Sequence, residues 1–290
     1  MMSYEEFTQK EAALESAPRA EREAFYAEIL EKETAKTDVR MMAYFHAALL
    51  HYREGDFRAA REILEPFVID YQSYAYRPEI IACFNLMGVA VYCERSYALA
   101  RFYIHEGLKI ARENHEISRY SYEYNNLAVT YLAQHEYEKA LEAIREAERH
   151  LPDSDREMHA YVYRNLSEIC CHLDRLDEAQ AALTRCVEEY DGRTLLPDDI
   201  LLVEMLLYYK LGAAERYENA GLKSGKSCPP CMQPSSAIRP TTCLPARWTP
   251  GTTRRSSASL SRPLVALAAR STSSVSMPTS RPSPNVRRHV

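Results

Sequence analysis

Apolar residues recur every three to four positions through most of the first 220 residues, and period-2 alternation is rare there. This periodicity predicts amphipathic helices. Five prolines occur in the region, and four lie at or near predicted helix boundaries. Pro66 is the exception, so we expect its helix to kink or end early. Ser3 with Glu6 predicts a capping box, and Asp155 predicts another helix start.

A second pattern, with a period of about 40 residues, lies over the first. In each period a small residue is followed twelve positions later by an alanine and four positions after that by a large aliphatic residue. The four small pairs are Ala48 with Ala60, Gly88 with Ala100, Ala128 with Ala140, and Ser167 with Ala179. Antiparallel helices approach closely only where facing residues lack bulk, so these pairs predict helical hairpins. Each hairpin leaves an apolar face that a neighbour must cover.

The third period resembles a tetratricopeptide repeat. The matching positions are Tyr124, Leu127, Ala128, Tyr131, Ala140, Ile144, Ala147 and Pro152. The resemblance implies an all-α fold, an α-α superhelix in which tetratricopeptide-like hairpins form a solenoid. We place the repeats at 40–75, 80–115, 120–153 and 156–191, with a partial repeat at 197–220. Residues 1–39 are predicted to form N-terminal helices that pack on this array.

The same resemblance implies that the first helix of each hairpin lines a concave side, where a partner would bind. The residues that we expect to contact a partner there are Phe45, Tyr52, Asn85, Tyr92, Tyr122, Asn125, Tyr161 and Arg164. Tyrosine rings with interspersed amides suit an extended peptide. We therefore expect a non-catalytic scaffold that binds a protein or peptide. The family's best-known groove binds a C-terminal carboxylate with a clamp of Lys, Asn and Arg side chains. This chain does not match that clamp, because Phe45 and Leu49 stand where its first basic and its first amide residue would be.

Charge divides the chain at residue 220. Residues 1–220 contain all 41 acidic residues and 25 of the 36 basic ones, a net charge of −16. Residues 221–290 contain no acidic residue, 11 basic ones and much serine and proline. We expect this tail to be disordered. Two other interpretations stay open: a basic arm for anionic polymers, and an out-of-frame translation, which fits the abrupt change best.

Chemical motifs are sparse. The nine histidines are scattered, and no nucleophile, base and orienting group occur at a catalytic spacing. The segment 221–227 resembles a phosphate-binding loop but is one residue short and follows no strand. Cys228 and Cys231 lack the further ligands of a zinc site. We therefore expect no enzymatic activity, no cofactor and no metal.

Neither a membrane span nor a secretory signal is apparent, so we expect a cytoplasmic protein. Two alternatives to the scaffold function remain. Residues 1–220 could be the sensory region of a bacterial signalling protein whose output domain is missing, such as a diguanylate cyclase, a kinase or a transcription regulator. The basic tail could bind nucleic acid, although the acidic region argues against nucleic acid as a partner.

Overall fold

The computed structural model describes residues 2–32, 35–190, 198–213, 215–216 and 219–220. The predicted tail, with its two motifs, lies outside the described residues, as does part of the fifth hairpin. The described part contains eleven α-helices and no strand. The helices are α1 Tyr4–Ala13, α2 Arg19–Lys32, α3 Asp38–Arg53, α4 Phe57–Asp70, α5 Glu79–Cys93, α6 Tyr97–Glu113, α7 Tyr120–Ala133, α8 Tyr137–Arg149, α9 Arg156–His172, α10 Leu176–Glu188 and α11 Asp198–Lys210.

Four helical hairpins form the centre of the molecule: α3 with α4, α5 with α6, α7 with α8, and α9 with α10. All eight residues of the small pairs predicted from the sequence are buried. A Cβ on Gly88 would lie 3.0 Å from Ile104 Cγ1 and 3.4 Å from Ala100 O, so α5 and α6 pack tightly there. In the last pair, the Ser167 hydroxyl donates to the Ala179 carbonyl at 2.9 Å. The predicted hairpin packing is confirmed.

Every turn inside a hairpin uses one residue in the left-handed region. These residues are Gly55, Arg95, His135 and Asp174, with φ of 85°, 65°, 61° and 56°. Gly212, after α11, has a φ of 67°. The residue after the left-handed one then donates its backbone N–H to the carbonyl five residues earlier. Asp56 N–H donates to His51 O at 3.0 Å, and Ala213 N–H donates to Tyr208 O at 2.9 Å. The chain after α11 therefore begins a fifth turn of the same geometry.

Local capping follows the sequence, with one difference. Ser3 and Glu6 form both hydrogen bonds of the predicted capping box, and Asp155 accepts from the Met158 amide at 3.0 Å. Helix α4 does not end early at Pro66 but continues to Asp70. The following residue, Phe67, is fully buried against Tyr44 and Tyr74. Tertiary packing thus outweighs the backbone hydrogen bond that the proline removes.

The two N-terminal helices pack on α3. Phe7 of α1 stacks on Phe25 of α2 at 5.7 Å, and Phe7 also lies 5.9 Å from the His46 ring. Arg19 of α2 pairs with Glu54 in the first hairpin turn. Arg61 of α4 pairs with Glu94 of the next turn at 3.0 Å in the same way. Helix α2 therefore contacts the array as the second helix of a preceding hairpin would.

The first helices of the hairpins, α3, α5, α7, α9 and α11, form an inner row. Each contacts the next first helix in the row, whereas the second helices of successive hairpins are more widely separated in the described part. The array therefore curves with the first helices inside. Helices α3 and α5 are buried along almost their whole length. The predicted partner-binding residues all lie on this inner row.

Candidate functional site on the inner face of the array

The structure divides the eight predicted contact residues into two groups. Phe45, Tyr52, Asn85, Asn125 and Arg164 are buried within the chain. Tyr92, Tyr122 and Tyr161 are half-buried and reach the inner surface. The buried group supports the surface from below, and the tyrosines are available for contact. Whether any of them touches a partner stays a prediction.

The buried polar members form a ladder of hydrogen bonds across three first helices. Asn165 Nδ2 of α9 donates to Asn125 Oδ1 of α7 at 2.7 Å. Arg164 Nη2 donates to Asn165 Oδ1 at 2.5 Å, and Arg164 Nη1 lies 3.3 Å from Asp199 Oδ2 of α11. Buried polar groups need such partners, because an unpaired one would cost about 1–3 kcal/mol. The ladder therefore holds α7, α9 and α11 in register.

Sequence reasoning missed Asn165 and Asp199 in this ladder. A signal for Asn165 was present, because it stands 39 residues after Asn126, the spacing that relates the third and fourth hairpins. Both asparagines are buried on the faces where α7 and α9 meet. Asp199 had no such signal, since its burial depends on how α11 lies on α9.

A second buried pair joins α5 to α7. Asn85 Nδ2 donates to Glu123 Oε1 at 2.9 Å, and Glu123 Oε2 has no partner. Burial raises the pKa of this carboxyl to about 8, although the Asn85 hydrogen bond acts in the opposite direction. A Cβ on Gly107 would lie 3.3 Å from Glu123 Oε2, so a larger residue on α6 would force the carboxylate to shift by a few tenths of an ångström. Glu123 was also missed from the sequence.

The half-buried tyrosines are held by carboxylates at the start of α9. The Tyr122 hydroxyl donates to Asp155 Oδ2 at 2.6 Å, and the Tyr161 hydroxyl donates to Glu157 Oε1 at 2.7 Å. Burial together with these carboxylates raises the pKa of both phenols. Each ring is thus fixed while one side stays accessible. Ordered aromatic surface of this kind loses little entropy on binding.

Between these rings, α7 contributes an apolar floor. Val129 and Leu132 are half-buried on the inner face. Glu168 of α9 lies on the same face and is also half-buried. The negative charge of Glu168 contributes to the raised pKa of Tyr92, two hairpins away on α5, although burial is the larger cause. The middle of the inner face is therefore apolar, with one acidic side chain beside it.

The described residues offer little acid–base or nucleophilic chemistry. Burial raises the pKa of Cys170 to about 11 and of Cys186 to about 12, so these thiols stay protonated at neutral pH. Burial also lowers the pKa of His46 and His172 to about 4, which leaves both imidazoles neutral. Within the described ranges, no group of three or more His, Cys, Asp or Glu residues could hold a metal ion.

Solved structures with the same architecture exist. The structure of BtubC (BKLC) from P. vanneervenii aligns with a TM-score of 0.56 at 17% identity, over 94% of this chain and 96% of that one. Two structures of a putative kinesin light chain with nearly identical TPR-like repeats, from Podosopora anserina, align with TM-scores of 0.52 and 0.50 at 16% identity. Both alignments cover 64% of this chain and 93% of the other.

The chain has a tetratricopeptide-like fold. The resemblance inferred from residues 124–152 is thereby confirmed at the level of architecture. Identities of 16–17% establish the fold and leave the partner open. No protein-family model matches the sequence, and a comparison with curated proteins gave no match. Among the described helices, none is long and apolar enough to cross a membrane.

Proposed function

We propose that the chain is a non-catalytic scaffold that binds an extended peptide segment of a protein partner along the inner face of its first helices. The observation that carries this proposal is the row of half-buried side chains on α5, α7 and α9. The row consists of Tyr92, Tyr122, Val129, Leu132 and Tyr161. These side chains form an ordered, mainly apolar surface in a groove bordered by polar groups, which is the usual composition of a peptide-binding site.

The tyrosines of this row support an extended peptide as the ligand. The hydroxyls of Tyr122 and Tyr161 donate to Asp155 and Glu157, which holds both rings in place. Ordered tyrosine rings give a large contact area at a low entropic cost. The ladder below the surface is already hydrogen-bonded, so the groove does not have to rearrange before a ligand enters.

The chemistry of the described residues supports a non-catalytic role. Their buried thiols are protonated and two of their imidazoles are neutral at physiological pH, so neither group is activated as a catalyst. The carboxyl of Glu123, whose pKa is strongly raised, is 1% exposed and has no access to the groove. Binding, and not turnover, is the function that this inner surface fits.

A charged residue in the middle of the groove tests the proposal. We expect Val129→Arg in the full-length chain to lower retention of an immobilised random nonapeptide library at least about tenfold, because it puts a solvated charge on the apolar floor. Leu99→Arg is the matched control, since Leu99 is 43% exposed on α6, a second helix. Circular dichroism should show that both variants stay helical.

Two outcomes would count against this site. If Val129→Arg retained the library as well as the wild type does, the peptide would have to bind elsewhere on the molecule. If Leu99→Arg lost binding equally, the effect would come from added charge in general and not from the groove.

A further inference from the structure

Helix α6 carries an apolar patch on the outer side of the array. Among the described helices, it is the only one with two exposed large apolar side chains, Leu99 at 43% and Phe102 at 54%. The two residues are three positions apart and therefore lie on one side of the helix. The opposite side of α6 packs against α5, where Ala100 and Ile104 are buried beside Gly88. The patch thus lies outside the hairpin contact.

The corresponding positions of the other second helices are small or charged. Leu99 stands directly before the small alanine of its repeat, and Phe102 stands two positions after that alanine. The residues that correspond to Leu99 are Ala59, Lys139 and Glu178, and those that correspond to Phe102 are Glu62, Glu142 and Ala181. The repeat itself therefore does not require apolar residues here. Adjacent large apolar side chains that no packing contact requires are typical of an interaction surface.

Two oppositely charged residues flank the patch. Arg95, in the turn before α6, is exposed and makes no side-chain hydrogen bond or ion pair among the described residues. Glu106 is half-buried, and its Oε2 lies 3.6 Å from Lys109 Nζ. A carboxylate has two acceptor oxygens, so Glu106 can bind a second cation. From Arg95 through Leu99 and Phe102 to Glu106 the spacings are four, three and four residues. Contact seams between paired helices have these spacings.

This order of residues is complementary to itself in reverse. When α6 of a second copy lies antiparallel on the first, Leu99 of each copy faces Phe102 of the other, and Arg95 of each copy faces Glu106 of the other. We propose that the chain forms a two-fold symmetric dimer through this antiparallel contact of α6. A two-fold interface uses the same patch on both copies, so it needs such self-complementarity. The apolar pairs leave water, and the charged pairs set the register.

The size of the contact predicts a weak dimer. One helix from each copy covers less than the roughly 1,200–2,000 Å² that stable interfaces bury, so we expect a dissociation constant of about 10–100 µM. Exposed ion pairs contribute little free energy, and most of the affinity comes from the apolar pairs. The chain is then monomeric at nanomolar concentration. Peptide retention by Leu99→Arg, measured at that concentration, stays a valid control for the groove, which lies on the inner side of the array.

Sedimentation equilibrium of the full-length chain between about 1 and 500 µM tests the dimer, because association follows mass action. We expect the weight-average mass to rise from that of one chain towards that of two. Phe102→Arg should keep the chain monomeric throughout, because it puts a solvated charge into both apolar pairs. Ala181→Arg is the matched control and should dimerise as the wild type does, since Ala181 is exposed at the same repeat position of α10.

Charge reversal tests the antiparallel register. Arg95→Glu and Glu106→Arg each place like charges opposite each other twice in the dimer. Each should weaken association about three- to tenfold at low salt. The double variant restores opposite charges at both places and should regain most of the lost affinity. Circular dichroism should show that every variant stays helical.

Four outcomes would overturn this dimer. The wild type could stay monomeric at the highest concentration. Phe102→Arg could associate as tightly as the wild type, which would place the contact elsewhere. Ala181→Arg could lose association equally, which would show a general effect of added charge. The double charge reversal could associate no better than either single one, which would exclude the antiparallel contact. None of these results bears on the groove, because the peptide assay uses monomeric chain.

Discussion

At the scale of single residues, Glu123 shows how packing can reverse the chemistry that a side chain has in water. The residue sits in the first turn of α7, where an acid is favourable and unremarkable in sequence. In the fold it is 1% exposed, between Asn85 of α5 and the backbone at Gly107 of α6. Burial disfavours the charged form, so the pKa of the carboxyl rises from 4.5 to about 8.

This shift predicts a specific dependence of stability on pH. In the folded chain Glu123 keeps its proton up to about pH 8, whereas the unfolded chain loses it near pH 4.5. The stabilisation is therefore fully present below pH 4.5 and is lost as the pH rises towards 8. Glu123→Gln should remove this loss and stabilise the protein at pH 8.5 by up to about 5 kcal/mol. Urea unfolding at pH 5 and pH 8.5 measures both effects.

Glu142→Gln serves as the control for this prediction, since Glu142 is an exposed acid on α8 and should contribute no comparable dependence. Parallel stability curves for the wild type and Glu123→Gln between pH 5 and 8.5 would show that Glu123 is ionised in the folded chain. The pKa shift would then be wrong.

At the scale of elements, the hairpin turns are set by backbone conformation more than by side-chain identity. The left-handed position is glycine in the first turn, at Gly55, but arginine in the second, at Arg95. A Cβ on Gly55 would meet no atom within 4 Å, so space does not restrict this position. The backbone does, because a left-handed residue other than glycine costs about 1–2 kcal/mol.

Exchanging these turn residues should change stability in opposite directions. We expect Gly55→Ala to destabilise the chain by about 1 kcal/mol and Arg95→Gly to stabilise it by a smaller amount. The Arg95 side chain is exposed and makes no side-chain hydrogen bond or ion pair among the described residues, so little is lost with it. Denaturation midpoints in urea provide the measurement. A Gly55→Ala variant as stable as the wild type would mean that the first turn can change its backbone conformation freely.

At the scale of the whole molecule, packing is not uniform along the array. The junction between α10 and α11 contains a groove of about 550 Å³, lined by residues that include Leu183, Val187 and Tyr208. Val187 is 39% exposed, an unusual value for a large apolar side chain between packed helices. The α7–α8 hairpin, by contrast, has buried alanines along its contact and neighbouring hairpins on both sides.

This difference predicts a gradient of local stability. We expect amide hydrogens of α11 to exchange at least about ten times faster than those of α7 and α8, because local opening follows the density of buried contacts. Hydrogen exchange of the full-length chain, followed by mass spectrometry of peptides from each helix, measures the gradient. Equal protection of α11 and α8 would indicate that the array unfolds as one cooperative unit.

The helices and their pairing could be predicted from the sequence because their determinants are local or strictly periodic. Ala128 and Ala140 lie twelve residues apart in one hairpin, and the same spacing recurs in its neighbours. Each hairpin of this kind needs a small residue where its helices come close. The regular spacing of these small residues can therefore be recognised in the sequence alone. The continuation of α4 through Pro66 was harder to predict, since it depends on how Phe67 packs against its neighbours.

The composition of the inner face was decided by the tertiary structure. The sequence placed Asn125, Arg164 and Tyr92 on the same row of helices, and the fold buried the first two and left the third half-buried. It also brought Asn125 within 2.7 Å of Asn165, 40 positions later in the chain. Such proximity depends on the curvature of the stacked hairpins, which is the sum of small rotations at each junction. Periodicity along one helix therefore determines which residues face inward, and only the assembled array determines which of them meet.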